Sequence, residues 1–564
     1  MYILANLPYF FVLLGVLVFI HEFGHFIVAK ACDVKVTRFA IGFGPKIIGF
    51  VWGETEYRLG LLPLGGYVKM LGEIAGEEEV SPADAPRAFS NKSPWQRIAI
   101  ALAGPLFNLL LALGVYAFYA HGMQTVGDTR VGMVTRGAPA WNAGLRPGDT
   151  ITAVDHVAVS NWDDLREKIG ALQKGHAVWV TYLRAGVEAT VRMVPEQSLE
   201  TNVFSEQEAR GRVGISLQYS VPRVAVIDAT SPAARAGLQT GDLIVSVDGQ
   251  SVSTWSEVQR VLASVPVGVG ASLRAQRGNS QFDTVLHADT TFPMEVTRYS
   301  TLAVADLAWG YSGLVSEDVR VSHVASNTPA YEAGLRVGDR LVSVGTVAKD
   351  GTSHMRAVDA WLLDLSALQE DLHDETQLRV VYQRGRVLQE VTVQLRKMSE
   401  VDDLKNTHTQ YVFGVEHDDA STETFTKQVY VGSFGALAQG SRQVWSDMTL
   451  IVRSVAKMVN GSISPRQMGG PIMLFVVAEK TAKLGLVYFV KMMALISVNL
   501  GVINLLPVPV LDGGHVAMSL IELVQRKPLS MRARGWANRV GIVFLIALMV
   551  LAFSSDIMRF ILGR

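Results

Sequence analysis

Cysteine is almost absent from this chain. Cys32 is the only one in 564 residues, which excludes an intrachain disulfide and any cysteine-rich zinc site. The ordinary role of such a residue is that of a small buried hydrophobe. Charge is also scarce. Charged residues make up 18% of the sequence, and 51 Lys and Arg against 52 Asp and Glu leave a formal net charge of −1. That balance provides neither a basic surface for nucleic acid nor an acidic solvating tail, so no nucleic-acid partner is expected. Apolar residues are what the chain has in plenty: 49% of the sequence, with a mean hydropathy of +0.24, above the level of an ordinary soluble protein. The length exceeds what one compact core organises, so several domains are expected, some of them in a membrane.

Four apolar segments approach the roughly 20 residues of helix that a bilayer core requires. They cover residues 8–29, 98–120, 484–506 and 540–555, the last ending in polar residues. The first lacks a basic leader and carries His, Glu and His, so it is expected to be retained and not cleaved as a signal peptide. Lys30, Lys35 and Arg38 follow the first segment, Lys92 and Arg97 precede the second, and Arg526, Lys527, Arg532, Arg534 and Arg539 lie between the third and fourth. Short basic loops stay in the cytoplasm, so these two loops are predicted inside and residues 121–483 outside. Lys491, near the outer end of the third segment, can reach the interface with its long side chain.

The outer stretch repeats itself. Ala140 to Ile151, Ala233 to Ile244 and Ala330 to Leu341 share the pattern Ala-x-x-Ala-Gly-Leu-x-x-Gly-Asp, each flanked by Val-rich strands. The first glycine of each suits the end of a short helix, and the Gly-Asp pair suits a turn. The third copy departs from the second at Gly345, where the second has Val247-Asp248-Gly249. Beyond the repeats, Leu437, Val444, Trp445, Met448, Ile451, Val455 and Met458 fall at helical spacing, which fits either an interfacial helix or one packed on a soluble domain. The acidic run from Glu73 to Glu79 reads as a solvated loop.

His21-Glu22-Phe23-Gly24-His25 places two imidazoles one helical turn apart with a carboxylate beside them, the spacing that binds zinc on a helix. Inside an apolar span these groups are costly unless a cation satisfies them. A catalytic zinc takes three protein ligands and a water. Asn504-Leu-Leu-Pro507-Val-Pro509-Val-Leu511-Asp512-Gly513-Gly514-His515 supplies a carboxylate, Asp512, where two prolines end the third span. The first and third spans run in the same direction, and His25 lies only about 6 Å of helix rise from the end of its span, so both motifs reach a similar depth. A broken helix at that depth is tolerated only against protein or a wet cavity, which hydrolysis needs.

HExxH in a first span with NxxPxPxLDG in a later one resembles the site-2 protease family, and the inserted repeats resemble its RseP-type branch in Gram-negative bacteria. The repeats themselves resemble circularly permuted PDZ domains, whose groove takes extended peptides. The likeness includes Gly104-Pro105-Leu-Phe-Asn108, the stretch from Tyr57 to Met70, Gly469-Gly470-Pro471 and the run from Leu495 to Gly501. It implies a polytopic α-helical membrane protein with four transmembrane helices, an inserted array of α+β PDZ-like domains and a membrane-associated β-rich loop. The expected divisions are 1–120 with HExxH, PDZ-like units at 126–200, 211–292 and 310–397, an amphipathic region at 430–480, and 484–564 with the second motif. The resemblance further implies a zinc metalloendopeptidase of the bacterial inner membrane with His21, His25 and Asp512 as ligands and Glu22 as general base. It places substrate contacts at Gly65, Gly66, Tyr67, Asn504, Pro507 and Pro509. Its substrates would be single-pass membrane proteins such as anti-sigma factors, and remnant signal peptides, cut within the bilayer after a first protease has clipped them. The PDZ-like units would then exclude large outer domains; two are usual in this branch and three are present here. Asn504 also suits a cap on the broken helix, and His515 suits support of the site more than ligation. The alternative function is a membrane-anchored PDZ scaffold without catalysis, against which stands the retention of every metal and base residue.

Overall fold

The computed structural model of the chain describes every residue except 1, 74–79, 173–174, 202–206, 267, 290–310, 348–352, 362–363, 366–376, 402–406, 463–468, 528 and 561–564. Most of the acidic run therefore lies outside the described residues. The chain divides into two compact units, one of Met1–Gln124 with Val429–Arg564 and one of Thr125–Val401 with Thr407–Gln428.

Four helices in the first unit are long and apolar enough to cross a membrane: Leu7–Ala31 within α1 (Tyr2–Ala31), Pro94–Ala120, which is α2, Leu486–Asn504 and Arg532–Phe560. The first three agree closely with the segments expected from sequence. The fourth extends well past 540–555, because polar residues at both of its ends continue the helix without interrupting it. Its Val543, Phe544, Ile546 and Val550 are exposed, an apolar surface that water would not favour and lipid would. α2 begins at a capping box in which Ser93 and Gln96 satisfy each other's backbone donors, with Pro94 at the first helical position.

Between α1 and α2 the chain forms two long strands, β1 (Val36–Trp52) and β2 (Thr55–Met70). β2 bends back on itself, so residues 38–41 pair with 66–69 on one side and with 56–59 on the other. The segment around Gly66 and Tyr67 thus becomes a margin of the sheet. At the hairpin tip Phe50, Val51 and Trp52 are more than half exposed, which suits contact with a bilayer. Glu54, in the turn, is braced by Arg87 and Lys30, which hold its carboxyl down to about 2.

The amphipathic stretch is one helix, Ser433–Val459. Its Val444, Met448 and Ile451 pack against Ala112, Ala494 and Val498 of two spans, and Asp447 accepts a 2.7 Å hydrogen bond from Tyr116 of α2. Gly440 permits a close approach there, since a Cβ would lie 3.0 Å from the Ala117 nitrogen. The helix packs on two of the spans and not on a soluble domain, and its Phe434 and Trp445 stay exposed.

The Gly-Gly-Pro sequence before the third span has a local reason. Pro471 starts a helix, Pro471–Leu484, whose first amides are satisfied by a carboxylate from the last span: Asp556 accepts from Gly470 at 2.9 Å, Ile472 at 2.7 Å and Met473 at 3.2 Å. A side chain at Gly470 would strike that carboxylate. Asp556→Ala leaves these donors buried and unpaired and is expected to cost roughly 1–3 kcal/mol, measurable as a lowered midpoint in denaturant titration of the detergent-solubilised protein.

The second unit contains three copies of one topology. In the first, Thr150–Val154 lies between Val157–Ala158 and Val178–Arg184, with Val187–Met193 outermost, and the helix Trp162–Gly170 follows the short strand. The second and third copies have sheets of the same order, built on Leu243–Val247 and Arg340–Val347. In each copy the first short strand is paired by a strand that arrives after the sheet is complete: 133–134 with 215–216, 224–226 with 314–316, and 323–324 with 415–416. Copies one and two turn tightly through Asp155-His156 and Asp248-Gly249, all with positive φ. The third lacks this turn and its strand runs on to Val347, with Gly345 paired to Met355 and Arg379.

The repeated Gly-Asp is more than a turn. Asp149, Asp242 and Asp339 are almost wholly buried, and each is gripped through both oxygens by an arginine, Arg184, Arg277 or Arg384, at 2.7–2.8 Å. The same guanidinium donates to the carbonyl of Gly144, Gly237 or Gly334, tying the helix end to the sheet.

Candidate metal centre

The polar groups of α1 converge with the end of the third span. His21 and His25 lie on one face with ring centroids 4.9 Å apart and planes at 83°. Their Nε2 atoms are 3.3 Å from each other, and Asp512 places one carboxylate oxygen 3.2 Å from His21 and the other 3.3 Å from His25. Burial works against ionisation of Asp512, but the hydrogen bonds and charge of the imidazoles outweigh it and hold its carboxyl below the ordinary range.

Local backbone places Asp512. After Asn504 the helix ends, and Val510 takes a left-handed conformation, φ 87°, that a β-branched residue rarely adopts. The new helix Asp512–Gln525 begins at once. Gly513 and Gly514 sit against the carbonyls of Leu506 and Val508, where a Cβ would come within 2.3 and 2.4 Å, so only glycine lets the strained loop close over Asp512.

α2 fixes the imidazoles from behind. His25 Nδ1 lies 2.8 Å from the Ile100 carbonyl, which can only accept, so the ring hydrogen is on Nδ1 and the Nε2 lone pair points to the centre. Gly104 makes room for both rings, since a Cβ there would lie 2.3 Å from His25 Nε2. Asn108 reaches Nδ1 of His21.

Two nitrogens and a carboxylate all within 4.8 Å of one another are a donor set suited to a metal ion. The 3.3 Å between the two Nε2 atoms matches the edge of a tetrahedron with bonds of about 2.0–2.1 Å, the ordinary Zn–N length, and Asp512 offers a carboxylate oxygen to each imidazole. The residues therefore fit zinc, and a cavity adjoins them.

The sequence profile of peptidase family M50 matches residues 9–548. The chain belongs to this family. Among its relatives are the regulator of sigma E protease of Salmonella typhi, 29% identical with 99% of each chain covered, and the regulator of sigma-E protease RseP of Escherichia coli, 29% identical at the same coverage. A Neisseria meningitidis protein whose name describes a zinc metalloprotease is 28% identical, over 96% of this chain and 97% of that one. This M50 chain is a site-2 type metalloprotease that works within the membrane, and the scaffold reading falls away.

The cavity beside the candidate metal centre of this M50 protease measures about 280 Å³ and is lined by Glu22, Tyr67, Val68, Glu73, Asn504 and His515, among others. Glu22 faces it, with Val68 of the strand margin in the same lining. Gly66 lies against Glu22, its Cβ position 3.1 Å from the Glu22 Cγ, and Gly65 at φ 109° turns the strand into this position over the Phe43 ring. Asn504 brings its amide nitrogen 3.3 Å from His21 Nε2. His515 lines the cavity with its imidazole held below its ordinary value by burial.

Pro507 and Pro509 are not in the lining. Pro507 is exposed, and the Pro509 carbonyl faces Gly541 of the last helix. Glu73, the described member of the acidic run, is exposed as a solvated loop would have it, yet it also borders the cavity: Gly72, at φ 71°, turns it back so that its carboxylate accepts from the Met70 amide. The positions of Gly104 and Asn108 were noticed only as a shared motif; their four-residue spacing, equal to that of His21 and His25, was the available signal.

Proposed function

We propose that this protease cuts single-pass membrane proteins inside their membrane-spanning segment, with zinc held by His21, His25 and Asp512 and with Glu22 as general base. The observation that carries this reading is the strand margin against Glu22: the Cβ position of Gly66 lies 3.1 Å from the Glu22 Cγ, and Tyr67 and Val68 line the same cavity as His21, His25 and Asp512. When bound, zinc supplies a polarised carbonyl and a water whose pKa is brought toward neutrality. Glu22 would take a proton from the attacking water and return it to the leaving amine nitrogen. Residues 65–67 add the substrate as an extended strand, because a carbonyl still bonded within its own helix is closed to attack. The Asn504 amide hydrogen-bonds the substrate backbone. Tyr67 closes the cavity on the strand side.

The sigma-E names of the relatives support an anti-sigma factor as substrate, already shortened by an upstream protease, with remnant signal peptides as a second class. The basic loops support an orientation with the metal centre toward the cytoplasm of a bacterial inner membrane and the repeated units on the outer side. The test is cleavage by the full chain in detergent of a single-pass substrate with a short outer tail, with the products mapped by mass spectrometry. Cuts within the apolar segment are expected. Cuts confined to the soluble tail would overturn the reading.

A further inference from the structure

One polar atom at the metal centre is left without a partner. Asn108 is fully buried in α2, its side-chain nitrogen 3.1 Å from His21 Nδ1 and its Oδ1 shut away from any donor. An amide's oxygen and nitrogen are alike in shape, so hydrogen bonding decides which of them faces the ring. A His21 that offers the Nε2 lone pair to a cation carries its hydrogen on Nδ1. An NH₂ group facing that hydrogen would set donor against donor. Half a turn of the amide removes the conflict and gives the stranded oxygen its donor.

We infer that Asn108 accepts a hydrogen bond from His21 Nδ1–H through Oδ1, making it a positioning residue that selects the ligating nitrogen of His21. It does for His21 what the Ile100 carbonyl does for His25. Both supports come from α2, so this one span sets the tautomer of two ligands contributed by another. The main chain at Asn108 is anchored separately, since Ser497 donates to its carbonyl at 2.8 Å, and a side-chain change therefore leaves the helix in place. The inference rests on the proposal that His21 is a ligand.

The experiment measures zinc affinity of the full chain in detergent, by competition with a chelator, together with the visible absorption of the cobalt-loaded protein, which reports ligand geometry independently of cleavage. Asn108→Leu is expected to weaken zinc by about 10–100-fold, the usual effect of losing a partner to a ligating histidine, and to alter the cobalt spectrum. Asn108→Asp, which can only accept, is expected to keep both wild-type affinity and spectrum. If leucine prevents folding, Asn108→Ala takes its place. An Asp variant as weak as the Leu variant, or a Leu variant that binds zinc like wild type, overturns the inference. Zinc held undiminished by His21→Ala would instead bring down the metal reading on which it stands.

Discussion

Glu22→Gln is expected to lower cleavage by about 10²–10⁴-fold, the contribution of a general base, while zinc stays at wild-type occupancy. The substitution is nearly isosteric, so the contact with Gly66 is kept. It also leaves His21, His25 and Asp512 untouched, and none of them depends on Glu22 for its hydrogen bonds. What is lost is the capacity to take a proton from water beside the metal. Single-turnover cleavage and metal analysis on the same preparation separate the two effects. Equal rates for the two proteins would remove Glu22 from the chemistry.

Asp512→Ala is expected to strip the metal and with it all measurable cleavage. Two imidazoles from one helix leave a divalent cation half-coordinated, and the carboxylate is the only ligand supplied by another element among the described residues. The change costs more than a bond. Without Asp512, two buried imidazoles 3.3 Å apart face each other with no anion between them. Metal content by elemental analysis, before and after dialysis against a chelator, reads the result. Asp512→Ala that keeps its zinc while His25→Ala loses it would take Asp512 out of the ligand set.

The candidate site was legible to an unusual depth because its parts are written as short strings. HEFGH carries its own geometry, and a proline-broken helix followed by a carboxylate marks where a span ends. The spans were legible from length and hydropathy. Less legible were features that depend on distant pairing. The four-residue spacing of Gly104 and Asn108 says nothing about what they face until α2 is laid on α1. Asp556 falls just beyond the expected fourth segment, and its three amide partners lie more than eighty residues away in sequence. The Gly-Asp of each repeat was visible, but the arginine that grips it comes after a helix and a strand.

The late closing strand of each repeated unit has a consequence for how the chain is made. Residues 133–134 wait for 215–216, and the next two copies likewise wait for strands roughly 90 residues further on. Closing so long a loop costs chain entropy that local turns do not. During synthesis each copy therefore stays open until its last strand has emerged, and the copies shut one after another from the amino end. A chain stopped before residue 215 ends with a half-made module and a bare strand edge, while one stopped just past 216 has a finished first module.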